Sequence, residues 1–328
     1  MKKPHSVKGA RDLKARHYVE YTLLRGFTAF CSLFGLDGAS AIGGWIARVV
    51  GPLTPAQKTA RNNMRMCIPE MADEEIEKNL RAMWDNFGRT MQEFPQITKL
   101  LPYRDGSRIE VIGGEIIDEV VGRGKGALFI SGHFANWELL APCIRLRGLD
   151  LDGVYRSANN ALVNDWSMRL RGPNSFSSQS PKGRAGAKMI VKHIRAGTPV
   201  AMLVDQKMND GIEAPFFGRP SMTAGAAAQL SEKYDCPIVP MHIRRLEGAN
   251  FRVEIYPPLN VPHTGSKSGD VLAITTAYNQ FLEDRIREVP GQWMWMHNRW
   301  SPPKRKKKYG PKPVREGSTP EGDVTSNG

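Results

Sequence analysis

Ser131-Gly132-His133-Phe134-Ala135-Asn136-Trp137-Glu138 stands between two runs of different character. Before it, Ala127-Leu128-Phe129-Ile130 is short and continuously apolar, as a buried strand is. After it, Leu139-Leu140-Ala141-Pro142-Cys143-Ile144-Arg145-Leu146 reads as a helix. A histidine and a carboxylate therefore sit where a strand hands over to a helix, which is where open α/β sheets collect their ligand sites. Five positions of a regular helix turn through roughly 500°, so two residues inside one helix would not share a face at that spacing. The spacing works if His133 precedes the regular helix and Glu138 points back. Glu138 then accepts from one imidazole nitrogen, fixes the tautomer and stabilises the imidazolium, and the other nitrogen faces a substrate hydroxyl. His133 is thus the candidate general base, Glu138 its support, and Asn136 a candidate helix cap. The plain alternative is a buried histidine beside a surface glutamate.

Working outward, the chain alternates. Strands are expected at 109–111, 126–130, 151–155, 199–204, 237–243 and 251–256, the last alternating as an edge strand would. Helices are expected at 115–121, 137–146, 160–171, 183–196, 224–234 and 271–289. This predicts an α/β fold: a mixed, mostly parallel sheet flanked by helices. Upstream the pattern is helical. Thr54-Pro55 opens a helix over 56–66, and Asp73-Glu74-Glu75 opens another that carries Ile76, Leu80, Met83, Trp84 and Phe87 on one face before stopping at Pro95.

Two further strand ends deliver polar groups to the same edge of the sheet. Tyr155-Arg156 closes one; its arginine is suited to a phosphate or an oxyanion. Asp205-Gln206 closes another, and a Gly/Pro-rich loop, Pro215-Phe216-Phe217-Gly218-Arg219-Pro220, offers Arg219 as a second anion-binding candidate. Trp293-Met294-Trp295-Met296-His297-Asn298-Arg299-Trp300 reads as a core-sealing strap or an interfacial aromatic belt.

The net charge of +13 in 328 residues points to an anionic partner. Much of the excess is terminal: six lysines and arginines against Asp12 alone in residues 1–16, and Lys304-Arg305-Lys306-Lys307-Lys308. With little aromatic interleaving, these blocks argue against a nucleic-acid surface. Cys31, Cys67, Cys143 and Cys236 are far apart, which suits buried reduced thiols rather than a zinc site or disulfide scaffold. Residues 17–53 are apolar but interrupted by Arg25, Gly35 and Asp37-Gly38, short of the roughly twenty residues a span needs. They are expected to form one or two helices on or dipping into a membrane; packing on the domain itself is the alternative. Four regions follow: a basic segment 1–16, a helical membrane-associated region 17–100, an α/β domain 101–300 and a basic disordered tail 301–328.

The motifs resemble the lipid A biosynthesis lauroyl/myristoyl acyltransferases, within the glycerolipid acyltransferase superfamily whose mark is a histidine, four residues and an acid. Here that is His133-x4-Glu138. The other matches are Arg61-Asn62-Asn63 ahead of Pro69-Glu70, Tyr155-Arg156 with Asn159-Asn160, Asp205-Gln206, Pro215-Phe216-Phe217-Gly218, Pro237-Ile238-Val239-Pro240 and Pro290 to Trp300, spanning roughly residues 20–300. Gly291 and Asn298 depart from it, standing where glutamate and arginine are expected. The resemblance implies a glycerolipid acyltransferase-like fold at the cytoplasmic face of a bacterial inner membrane. It implies transfer of a fatty acyl group from acyl carrier protein to a hydroxyl of a lipid A precursor, with His133 and Glu138 catalytic. Asn136, Arg156, Asn159, Asp205, Gln206, Gly218 and Arg219 are the substrate-binding candidates. Neither a metal nor a cofactor is expected. Other acceptors, such as a lysophospholipid, an ornithine lipid or a phosphoinositide mannoside, stay open, as does a non-enzymatic basic membrane-surface protein.

Overall fold

The computed structural model describes residues 13–300, so most of the basic segment 1–16 and all of the tail 301–328 lie outside the described residues. The chain begins with four helices, α1 (Ala15–Ser32), α2 (Gly35–Val50), α3 (Pro55–Cys67) and α4 (Asp73–Glu93). The three acids at the start of α4 meet the positive end of its dipole, and Ile76, Leu80, Met83 and Trp84 bury one face. α2 crosses α4 at two glycines: a Cβ on Gly43 would strike the carbonyl of Gly88, and one on Gly88 that of Gly43. Only glycine permits that approach.

Seven strands form the main sheet: β1 (Ile109–Ile112), β2 (Leu128–Ser131), β3 (Asp152–Tyr155), β4 (Ser178–Pro181), β5 (Val200–Leu203), β8 (Ile238–Arg245) and β9 (Phe251–Ile255). Their order is β1-β9-β8-β2-β5-β3-β4, parallel throughout except β8 against β9. The mixed, mostly parallel sheet is as expected. Helices α5 (Gly114–Gly122), α6 (Leu140–Arg145), α7 (Ala161–Ser175), α8 (Arg184–Arg195), α9 (Ala226–Tyr234) and α10 (Lys267–Glu288) supply the rest of the alternation. Leu128, Phe129 and Ile130 of the central β2 are buried on both faces, which is why that run is continuously apolar.

Three features differ from the sequence reading. β9 is interior, because β1 pairs along it; its alternation records one-sided burial, not an edge. β4 has no hydrophobic signal, being Ser-Gln-Ser-Pro. Its Ser178 and Ser180 hydroxyls donate to the buried Asp152 carboxylate at 2.7 and 2.6 Å, an internal polar pairing that replaces apolar packing. The Gly/Pro-rich loop is a hairpin, β6 (Lys207–Phe216) and β7 (Arg219–Thr223). Phe217 and Gly218 take φ of 52° and 65° at its tip, the left-handed pair a tight two-residue turn requires.

No described helix is long and apolar enough to cross a membrane. The small residues Ala39, Ser40, Gly43 and Gly44 of α2 face inward against the domain. The apolar residues Val19, Leu23, Phe30, Leu33 and Phe34 from α1 and the turn after it, and Trp45, Val50 and Leu53 from α2 and the segment after it, remain exposed.

Candidate active site

The parallel strands bring their carboxyl ends to one edge. β2 delivers His133, β3 delivers Arg156, β4 delivers Lys182 and β5 delivers Asp205 and Gln206. A cavity of about 320 Å³ opens there, in the size range of small-molecule sites. His133, Glu138 and Arg156 all line it, together with Trp137, Tyr155, Arg171, Lys182, Gln206 and His297. Its deeper wall is apolar: Phe129, Ile130, Leu140, Ala141, Ile144, Phe176, Met202 and Met241.

The imidazole of His133 is held by a residue other than the one expected. Its Nδ1 lies 2.8 Å from Oδ1 of Asp205, and its backbone N–H donates to Oδ2 at 2.7 Å. The Trp293 indole N–H donates to the same Oδ2 at 2.9 Å. Asp205 is buried, and burial alone would raise its carboxyl pKa. The His133 ring, the His133 backbone N–H and the Trp293 N–H outweigh that and hold it below the ordinary carboxylate range. On the other side of the ring, Gln206 Nε2 lies 3.2 Å from His133 Nε2 and 2.9 Å from His297 Nε2. With the amide donating to both rings, His133 carries its proton on Nδ1 toward Asp205, and its Nε2 lone pair accepts from Gln206 on the cavity side. That is the tautomer a general base needs.

Glu138 is turned elsewhere. Its two oxygens accept from Nε and Nη2 of Arg171, both at 2.7 Å, a bidentate pair on the cavity wall. Burial opposes the Arg171 charge, but Glu138 outweighs it and raises its pKa. The expectation that Glu138 grips the imidazole is therefore corrected: His133 does precede the helical turn, but Glu138, inside the 3-10 segment Trp137–Leu139, spends both oxygens on Arg171 of α7, and Asp205 takes the imidazole instead.

The turn itself is strained and pinned. Ala135 has φ of 40°, rare for a residue with a Cβ. Its carbonyl accepts from Asn86 Nδ2 at 3.2 Å and Thr90 Oγ1 at 2.9 Å, both on α4, and its N–H donates to the Gln292 carbonyl at 2.9 Å. Asn136 is neither a side-chain cap nor a cavity residue. It is fully buried and donates to Glu93 Oε2 at 2.9 Å, in a network where Glu93 also receives Ser40 of α2 and Arg245 of β8. The N-terminal helices thus hold the loop that carries the base.

Other candidates are redistributed. Gln206 is in the site, while Asp205 acts through His133 rather than lining the cavity. Asn159 is exposed outside it; its neighbour Asn160 caps α7 by accepting from Leu162 N–H at 3.1 Å. Gly218 belongs to the hairpin tip and Arg219 to the exposed start of β7, and neither lines the cavity. The tryptophan-rich stretch is a core strap: Trp293 and Trp295 are buried, and Asn63 of α3 donates to the carbonyls of Trp295 and His297 at 2.8 and 2.7 Å. Lys182 and Arg171 are not sequence candidates, and His297 stands in the sequence mainly as part of the aromatic strap, with a catalytic role the lesser reading. Lys182 follows the polar strand β4, and Arg171 ends a helix turn just before Gly172, whose φ is 44°. Among the described residues, no group of three or more histidine, cysteine, aspartate or glutamate side chains is placed to hold a metal ion.

Compared with known proteins, residues 8–302 match the family described as bacterial lipid A biosynthesis acyltransferase. A lipid A biosynthesis lauroyltransferase of Escherichia coli (strain K12) is 28% identical over 253 residues, covering 74% of this chain and 78% of the relative. A lipid A biosynthesis palmitoleoyltransferase of the same organism is 25% identical, with 74% and 78% covered. A phosphatidylinositol mannoside acyltransferase of Mycolicibacterium smegmatis is 21% identical, with 81% and 84% covered.

Proposed function

The chain belongs to the bacterial lipid A biosynthesis acyltransferase family and is an acyltransferase, and on that premise we propose that it moves a fatty acyl group from acyl carrier protein to a hydroxyl of a lipid A precursor. Membership sets aside the non-enzymatic reading. The observation that carries the proposal is the His133 ring, anchored at Nδ1 by Asp205 and meeting only the Gln206 amide at Nε2, on the side of a cavity with an apolar wall.

The acceptor hydroxyl takes the place of the Gln206 amide against Nε2. As its oxygen attacks the thioester carbonyl, Nε2 takes the proton, and Asp205 stabilises the imidazolium that forms. The tetrahedral intermediate collapses with loss of the C–S bond, and the imidazolium returns its proton to the departing thiolate. The acyl chain lies along Phe129, Ile144, Phe176 and Met202, where each buried methylene contributes about 0.8 kcal/mol. Glu138 acts through Arg171, fixing α7 against the cavity wall. The exposed apolar residues of α1, α2 and the segments that follow them support a helical pair lying on a bilayer, at the cytoplasmic face of the inner membrane, where a lipid acceptor is presented. A phosphatidylinositol mannoside acceptor is the second reading, favoured by the mycobacterial relative.

A membrane assay with acyl carrier protein thioesters, comparing wild type with His133→Ala on a lipid A precursor and on a phosphatidylinositol mannoside, tests both points. Undiminished transfer by His133→Ala sinks the mechanism. Transfer to the mannoside alone moves the acceptor to the second reading.

A further inference from the structure

We propose that Arg156 and Lys182 form a two-cation clamp for a phosphate group at the cavity mouth, a role that rests on the acyl-transfer reading of the same site. β3 and β4 run parallel in register, with Tyr155 opposite Pro181, and the Lys182 N–H donates to the Tyr155 carbonyl at 2.9 Å. Parallel neighbours lie about 4.8 Å apart, so the next residue on each strand, Arg156 and Lys182, leaves the sheet side by side. Both line the cavity that holds His133.

Neither cation is paired: the Asp205 carboxylate acts on Lys182 only at a distance, its oxygens engaged by His133 and Trp293. Arg171, the other cation of this cavity, is neutralised by Glu138. Arg156 and the Lys182 ammonium make no hydrogen bond or ion pair with another described residue. Both residues are exposed at the cavity mouth, and two like charges placed side by side there repel until an anion joins them. The lysine registers this: desolvation, and then the charge of Arg156, push its pKa down, and the Asp205 carboxylate offsets only part of that. α8 starts two residues later with no acid in its first turn and no capping side chain, so its positive end adds to the field. A planar guanidinium beside a point-charge ammonium suits a phosphate, whose up to two negative charges match the pair. Two participants could bring it: the acceptor, through a headgroup phosphate, or the donor, through the phosphate of a pantetheine arm.

Equilibrium binding to the full chain separates these without turnover. The probes are two pairs: a phosphorylated lipid A precursor against its dephosphorylated form, and phosphopantetheine against pantetheine. Wild type is expected to prefer the phosphorylated member of one pair by about tenfold or more. Lys182→Ala should bring that ratio to about one, and Lys182→Arg should restore most of it. Taking the ratio within one variant cancels any loss of folded protein, and the pair that responds identifies the source. A wild-type ratio near one for both pairs, or a ratio undiminished in Lys182→Ala, overturns the clamp. A chain that binds phosphate this way yet transfers no acyl group would overturn the reaction instead.

Discussion

The Asp205 carboxylate holds His133 twice, through Nδ1 at 2.8 Å and through the backbone N–H at 2.7 Å, so one buried group sets both the tautomer of the ring and the path of its loop. Replacing the carboxylate by an amide keeps the shape but removes the charge that stabilises the imidazolium. Asp205→Asn should lower kcat by about 10⁴-fold with little change in KM, a size taken from the equivalent change in Ser-His-Asp enzymes. Steady-state kinetics on the purified variant check this, and a wild-type kcat would show that the contact is structural only.

Glu138 and Arg171 are each other's partners, so their effects should not add. Glu138→Gln and Arg171→Gln each break the bidentate pair, and the double variant should cost no more than the worse single one. A coupling free energy within about 0.5 kcal/mol of zero in the cycle would return Glu138 to an independent role.

Ala201 of β5 lines the apolar part of the cavity. Ala201→Phe should fill that space and shift preference toward shorter acyl donors, by about fourfold in kcat/KM for each methylene excluded, from about 0.8 kcal/mol per methylene. The measurement is kcat/KM across donors of stepped chain length. An unaltered profile in a folded variant would place the acyl chain elsewhere.

His242 of β8 is buried behind the catalytic loop, edge-on to Phe134 with ring centroids 4.9 Å apart. Burial pushes its pKa down to about 4, and the contact with Glu254 offsets only part of that. The unfolded ring titrates near 6.5, so below that value the unfolded chain binds the proton that the folded chain refuses. Its neutral form therefore contributes fully above about pH 6.5, and that stability is lost as pH falls toward about 4. Urea midpoints between about pH 7 and about pH 5 should fall less steeply in His242→Gln than in wild type. Parallel slopes would rule out His242 as the source.

Sequence alone determined the alternation, and with it the carboxyl-end edge where His133, Arg156 and Gln206 meet. The periods of apolar residues and the Gly, Pro and acidic boundaries are local signals, and a parallel sheet converts strand order into a shared edge without further information. Tertiary structure decided who touches whom at that edge. Asp205 rather than Glu138 reaches the imidazole because β5 lies beside β2, a pairing between segments 72 residues apart in the chain. Lys182 arrives on a strand whose packing is polar and therefore silent in hydropathy, and His297 on a strap held by Asn63 from α3. Gly218 and Arg219 read as ligand residues because a left-handed hairpin tip and a phosphate loop draw on the same residue types. The spacing from His133 to Glu138 marks a turn out of β2. What that turn presents to a substrate depends on Ala135 being pinned by Asn86 and Thr90 of α4, a contact that only the folded chain creates.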